Sequence, residues 1–354
     1  MNMALAEIHD RAIDEIQRRW VRPAAWDPAY RVARDKVSTI AKSALDALLV
    51  RDFRVTPYPA AEEYAQLLAR VEYWVARSKP IQVRIGYAPL KNPRTVDHTH
   101  ADWAEFFAIC HLAAWHNKVQ AVYPPGLQIK IVFDDSTVRM ANRYSKKPMR
   151  EYMRSVSRLI PAMRYESLIV GTMRQSSFAW LFNFGLYQWA AWRLRNWERD
   201  PANKPMLDRM FESAQRNLAL PEALDEAEKN RLHALAAHRY RVYWEALQLS
   251  GFARSGHSLV AMYLDGYQHH VRQPAAFHLR SVGKQQGTQP WQGQGVLQDN
   301  GVGKLVPVVL TAKRRVLMDC RIVPLPRLLS LPNFDSITIA RAPAKIADAP
   351  TICC

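Results

Sequence analysis

The sequence predicts an α/β protein with a partly parallel sheet, a largely helical stretch in its middle and a β-rich C-terminal part. Three observations carry that reading. Ile81-Gln-Val-Arg-Ile-Gly-Tyr87 alternates apolar and polar residues with period two, as a half-buried strand does. Residues 100–120 return to helical periodicity and end at the turn Tyr123-Pro-Pro-Gly126, where both prolines fix φ. Leu127-Gln-Ile-Lys-Ile-Val-Phe133 then reads as a second strand, and helix, tight turn and strand in that order belong to α/β units.

The elements follow along the chain. Residues 1–20 place Leu5, Ile8, Ile13, Ile16 and Trp20 at helical spacing with charges between them. A second helix is expected over 36–49, and Arg51 to Pro59 is extended. Residues 60–78 make a third helix with Leu67, Val71, Trp74 and Val75 on one face. Pro89 and Pro93 bracket a loop holding Lys91 and Asn92, and the second strand stops at Asp134-Asp135. A helix runs from Pro148 to about Leu159, and a short strand covers Ser167 to Gly171. Residues 173–250 read as helical, broken near Asp200–Pro205 and Leu220-Pro221, and 254–270 continue in helix. From Phe277 to Cys320 the pattern is β again, and the Pro- and Ala-bearing end reads as a loose tail. The expected segments are a helical 1–80, a first core part 81–172, a helical region 173–270, a β-rich completion 271–330 and a tail 331–354. No internal repeat is visible.

Composition bounds the function. At 354 residues the chain has room for two domains or one large elaborated one. With 49% apolar and 23% charged residues it is an ordinary globular protein, which excludes wholesale disorder. Eleven tryptophans suit a thick aromatic core or a pocket for a flat ligand. Lys plus Arg number 49 against 32 Asp plus Glu, and a surplus of +17 favours an anionic partner. Cys110, Cys320, Cys353 and Cys354 show no metal-ligand spacing, so a reduced, cytoplasmic protein is expected. Glu7, Asp10 and Asp14 interrupt any signal-peptide core. The most apolar stretch, Phe178 to Trp192, holds Asn183 and Gln188 and falls short of the ~20 residues that span a bilayer. It reads as a buried helix, with no membrane partner.

Several patterns bear on chemistry. Arg139, Arg143, Lys147, Arg150, Arg154 and Arg158 recur at helical spacing and would form a basic ridge on one continuous helix, but Pro148 splits the run. The ridge is either a solvated face or a phosphate contact, and without a zinc-finger, RRM or KH signature nucleic acid is disfavoured. His98 and His100 near Asp97 and Asp102 are too sparse for a metal expectation, so none is made. No G-x-G-x-x-G, P-loop or G-x-S-x-G is present, which leaves dinucleotide binding and serine hydrolysis without support. Lys91, in a loop directly after a strand, is placed to meet an anion. Asp134, at the end of a strand, stands where open α/β sheets hold ligands. The plainer alternatives are an exposed lysine and a turn cap.

Taken in order, these segments resemble the isocyanide (isonitrile) synthases of pyoverdine/dityrosine biosynthesis type. The residues that carry the resemblance are Pro89-Leu-Lys91-Asn92, Ala101-Asp102-Trp-Ala104-Glu105, Tyr123-Pro-Pro-Gly126 and Asp134-Asp135. Beyond them come Arg254-Ser255, His278-Leu-Arg280-Ser281-Val-Gly283-Lys284 and Thr288-Gln-Pro290-Trp291-Gln292. The likeness covers 81–160 well and 252–315 loosely. It departs at Gln292 and Gly283, where the family has His, and at Asp135, where it has Gly. A Gln holds a substrate but does not shuttle protons as an imidazole does.

The resemblance implies a Rossmann-like core with a smaller appended region. It implies an enzyme of secondary metabolism that condenses the amine of an aromatic amino acid with a pentulose phosphate such as ribulose 5-phosphate. No metal or organic cofactor is expected, and a partner iron/2-oxoglutarate oxygenase is. In that reading Lys91, Glu105, Asp134 and Gln292 are catalytic. Asn92, Arg254, Arg280, Ser281, Lys284 and Trp291 bind substrate, the cations meeting phosphate or carboxylate. Trp103 is expected in the core rather than at the substrate. A non-catalytic binding role stays open beside this reading, as does a basic nucleic-acid-binding protein.

Overall fold

A computed structural model of the chain describes residues 5–55, 58–93, 95–135, 144–172, 183–218, 220–249, 256–263, 276–282, 288–300, 304–311, 320–325 and 329–341. Helices α1 (Leu5–Arg19), α2 (Val37–Leu48) and α3 (Ala61–Val75) lead into the first sheet. Its strands are β1 (Ile81–Tyr87), β2 (Leu127–Phe133), β3 (Leu168–Thr172), β4 (Leu259–Tyr263) and β5 (Ala276–Leu279). All are parallel, in the order β3-β2-β1-β4-β5. The order turns back at β1, so the crevice between β1 and β4 is the topological switch point of an open α/β sheet. The α/β core with a helical middle and a β-rich C-terminal part is therefore observed.

Helix α4 (Trp103–Gln120) connects β1 to β2 and is buried over most of its surface, with Phe106, Phe107, Leu112, Trp115 and His116 all inaccessible and only Ala114 and Lys118 exposed. A helix apolar all round must be covered on more than one face. Here β2 lies on one side, and β6 (Gln294–Asp299) and β7 (Leu305–Leu310) of a second sheet lie on the other. That second sheet also holds β8 (Cys320–Pro324) and β9 (Ser336–Arg341), in the order β7-β6-β9-β8. Helix α5 (Lys146–Ala162) links β2 to β3, and α6 (Asn183–Arg199), α7 (Lys204–Asn217) and α8 (Glu226–Leu249) form the helical middle.

Four expectations are corrected. Residues 259–263 are a strand, not part of a helix over 254–270, because a five-residue apolar run carries no period that separates strand from helix. The tail from 331 onwards contains β9, which pairs with β6 and β8 and so closes the second sheet. Helix α5 starts before Pro148, a position where a first-turn proline loses no hydrogen bond, and runs on through Pro161. Helix α6 is not a buried helix: Ala190 and Leu194 are covered, whereas Trp189 and Trp192 are 44% and 63% exposed. No helix among the described residues is long and apolar enough to cross a membrane.

Candidate active site

The loop after β1 carries Lys91, which is 2% exposed. Its ammonium donates to the Pro290 and Gly293 carbonyls at 3.0 and 2.8 Å. It also pairs with Asp102 Oδ1 at 3.1 Å and Glu105 Oε2 at 2.9 Å. Both carboxylates belong to the start of α4, where Asp102 is the N-cap and Glu105 stands three residues on. They form a capping box: Ala104 N–H donates to Asp102 Oδ1 at 2.7 Å, and Asp102 N–H donates to Glu105 Oε2 at 2.9 Å. Asp102 Oδ1 also accepts the Gly295 N–H of β6 at 3.1 Å. A Cβ at Gly295 would overlap the backbone of Trp103 and Ala104, so only glycine permits this approach. One lysine and two carboxylates thus pin the β1 loop, the α4 start and the second sheet together.

Burial sets the protonation of this seam. It raises the Glu105 carboxyl to about 7; the Lys91 charge works against the rise and the Asp102 charge adds to it. Burial also pushes Asp102 up, but Lys91 and His98 together outweigh it and leave that carboxyl below its ordinary value. His98 Nε2 lies 3.2 Å from Asp102 Oδ2. The Tyr152 hydroxyl, from α5, donates to Glu105 Oε1 at 2.8 Å and is itself hydrogen-bonded to Tyr87 at the end of β1. Burial, reinforced by the Glu105 charge, raises both phenols well above their usual value, so they act as neutral hydroxyls.

At the carboxyl edge of the sheet Tyr87 and Tyr263 end the two strands that flank the switch point. The Trp291 ring leans on both, with centroids 4.6 and 5.6 Å away. Gln292 beside it accepts from Asn92 Nδ2 at 2.9 Å, and the Asn92 N–H donates to the Trp291 carbonyl at 2.8 Å. Asp134 follows β2, its N–H bonded to the Tyr87 carbonyl at 2.8 Å. Arg280 and Ser281 follow β5. Arg280 is anchored through its N–H to the Phe53 carbonyl and through Nε to the Arg51 carbonyl. Ser281 is fully buried, with no hydrogen-bond partner for its hydroxyl among the described residues. An aromatic wall, a carboxylate and an arginine therefore end the strands of one sheet edge, the usual place for a ligand in this architecture.

The structure thus gathers Asn92, Asp134, Arg280, Trp291 and Gln292 at or beside the sheet edge, while Lys91 and Glu105 lie in the closed seam next to it. Arg254 and Lys284 lie outside the described residues. Lys91 does not face an external anion, because its ammonium is enclosed by two carbonyls and two carboxylates. Trp103 is in the core as expected, 3% exposed and packed on Phe106, Phe107 and Phe334. Sequence reading gave no site role to Tyr87, Tyr152, Tyr263 or Asp102, although Asp102 stands in one of the motifs behind the resemblance. Only Asp102 had a signal, the Asp-x-x-Glu of a capping box. Among the described residues no three His, Cys, Asp or Glu side chains gather as a metal site.

No protein-family model matches the sequence, and no curated protein matches it. Among solved structures the chain is similar to the PvcA protein from Pseudomonas aeruginosa, with a TM-score of 0.66 at 14% identity over 85% of this chain and 99% of that chain. At that identity the likeness is one of fold. Tryptophanyl-tRNA synthetase from Aeropyrum pernix matches with a TM-score of 0.33 at 10% identity, over 69% of this chain and 59% of that one. AlbC, a cyclodipeptide synthase from Streptomyces noursei, matches at 0.29 and 13%, over 56% and 94%.

Proposed function

We propose that the protein is an isocyanide-synthase-like enzyme of secondary metabolism, joining the amine of an amino acid, aromatic by preference, to the carbonyl carbon of a pentulose phosphate. The observation that carries this reading is convergence. Lys91-Asn92, Asp102 to Glu105, Asp134, Arg280-Ser281 and Trp291-Gln292, far apart in the chain, lie at the switch-point edge of the parallel sheet or in the seam beside it, whereas Tyr123 to Gly126 precedes β2 at the opposite edge. The fold likeness to PvcA agrees with it at the level of architecture.

In this reading the amino acid's ring packs on Trp291 and Tyr263, and Arg280, with Arg254 and Lys284, attracts carboxylate and phosphate. Asp134 accepts from the amine or a sugar hydroxyl. Condensation forms a C–N bond and expels the carbonyl oxygen as water, so it needs an acid. Glu105, poised near neutrality, is the acid: once protonated it donates to Tyr152, whose hydroxyl turns to pass its own proton to Tyr87, and Tyr87 passes its own to the departing oxygen, leaving Glu105 as the carboxylate that Tyr152 again donates to. Lys91 holds Glu105 and Asp102 in place and does not contact the substrate. Gln292, backed by Asn92, orients the substrate. The iron/2-oxoglutarate oxygenase stays a proposed pathway partner and the cytoplasm the proposed location.

The test is incubation with Tyr, Trp and other amino acids plus ribulose 5-phosphate, followed by mass spectrometry. An amine-derived product that falls at least a hundredfold in Tyr152→Phe and Glu105→Gln is expected. No product, together with no thermal shift from either substrate, would overturn the reading. The Gln at 292 and Gly at 283 favour a second reading, a ligand-binding protein that has lost the reaction. Thermal shifts without turnover would select it.

A further inference from the structure

A cavity of about 110 Å³ lies between α5 and the loop that leads into β9, and none of its lining residues is among those at the sheet edge. Ala101, Leu331 and Phe334 form its apolar wall. Glu151, Arg154 and Arg158 reach it from α5, at spacings of three and four that keep them on one helix face. Lys147 and Arg150, on the same ridge, do not line it.

The charges around this cavity are unspent. Neither guanidinium has an ion-pair or hydrogen-bond partner among the described residues, although Glu151 is only three residues from Arg154. Glu151 Oε2 accepts the Thr99 hydroxyl at 2.9 Å, which leaves Oε1 available. The wall is fixed. The Ala101 N–H donates to Ser155 Oγ at 2.7 Å, Ser155 donates to the Tyr152 carbonyl at 2.7 Å, and Asn333 turns the loop through a left-handed φ of 68°. A solvated basic ridge needs none of this: no carboxylate, no apolar wall and no enclosed volume.

We propose that the cavity binds a free α-amino acid with a branched aliphatic side chain of leucine's size. Two guanidiniums suit a carboxylate, which Arg takes in bidentate fashion. One carboxylate oxygen suits an ammonium, and the apolar wall takes the side chain. Both signs of charge beside an apolar wall select a zwitterion over a simple anion. At the packing density of a protein interior, about 110 Å³ accommodates a side chain of roughly four carbons, with the charged head group at the mouth. The site is separate from the sheet edge, and the proposal does not depend on the condensation reading.

Titration calorimetry on the full chain tests it with L-leucine, 4-methylpentanoate and 3-methylbutylamine. Saturable binding of L-leucine is expected, with each half-ligand at least tenfold weaker. Arg154→Ala/Arg158→Ala and Glu151→Gln each weaken leucine at least tenfold, whereas Trp291→Ala leaves it unchanged. Arg154 and Arg158 are exposed and Glu151 and Trp291 are half-buried, and a melting curve confirms that the variants fold. Absent binding, equal binding of the carboxylate alone, or binding that survives the double Arg variant overturns the proposal. Binding lost only in Trp291→Ala places the amino acid at the sheet edge instead, which overturns the cavity and leaves the condensation reading standing. Binding at the cavity without any condensation product does the reverse.

Discussion

Lys91 and the pair Arg154 and Arg158 are cations that a sequence reader sends to the same task, meeting an anion. The structure gives them opposite circumstances. Lys91 is enclosed, with two carbonyls and two carboxylates around its ammonium. The two arginines are exposed, have no partner among the described residues and border a cavity. What decides between structural and recognition roles is how many of a cation's bonds the protein itself already makes. An ammonium placed in low dielectric must be satisfied as the chain folds, since an unpaired one is too costly to bury. A cation left at the surface keeps its bonding capacity for something else.

The sharpest way to break this comparison is Lys91→Met. Met fills much of the same volume, so no large cavity confounds the result. It leaves Asp102 and Glu105 buried together without their cation, and two carbonyls without a donor. A loss of ~3–5 kcal/mol is expected, read as a fall in the urea midpoint. A Lys91→Met protein as stable as the parent would mean that the lysine is not the lock of the seam and is free to serve a substrate.

The pH dependence gives a smaller effect with a definite sign. Burial, opposed by Lys91 and reinforced by Asp102, lifts Glu105 to about 7 in the folded state, and unfolding returns it to the usual carboxylate range. Between those values the folded state holds the extra proton. Stability from this group therefore falls as pH rises toward 7 and falls no further above it. The change is up to ~3 kcal/mol. Asp102 shifts the other way, and its contribution is lost only as pH drops below the ordinary carboxylate range. Urea unfolding at pH 5 and pH 8 should show a loss in the parent protein that Glu105→Gln lacks. Equal slopes in the two proteins would show that Glu105 is already charged at pH 5.

The same physics explains what was legible in the sequence. Strands β1 and β2 were readable because one face of each is covered unevenly, which leaves the period-two pattern of Ile81 to Tyr87 intact. Strand β4 was not, because Leu259 to Ala261 are buried on both faces and Leu-Val-Ala-Met-Tyr has no alternation to read. Strand β9 was passed over inside a Pro- and Ala-bearing end, although Ser336-Ile-Thr-Ile339 alternates polar and apolar residues; the run is short, and its pairing with the preceding β8 and with the more distant β6 is what makes it a strand. At the site, Asn92, Asp134, Arg280, Trp291 and Gln292 were named by order along the chain and then found at or beside one edge. Tyr87, Tyr152 and Tyr263 were missed because each looks like an ordinary core aromatic until its hydroxyl or ring has a neighbour. Lys91 was placed in the right loop and aimed the wrong way, since nothing local says that Asp102 and Glu105 would fold over it.

The smallest expected effect completes the contrast. Arg154 and Arg158 contribute no described ion pair, and they stand as like charges at i,i+4, which mildly destabilises a helix. Replacing both with alanine removes that repulsion and adds helix propensity, while it uncovers only the rim of a cavity that the apolar wall still closes. The melting temperature should stay within about 2 °C of the parent, the normal result for surface changes away from buried networks. A stable double variant with unaltered condensation chemistry would free this ridge from both the fold and the sheet edge, so that any ligand it loses is a ligand of the ridge itself. A double variant that melts as early as Lys91→Met would instead show that the arginines brace α5, and the distinction between a spent and an unspent cation would have to be redrawn.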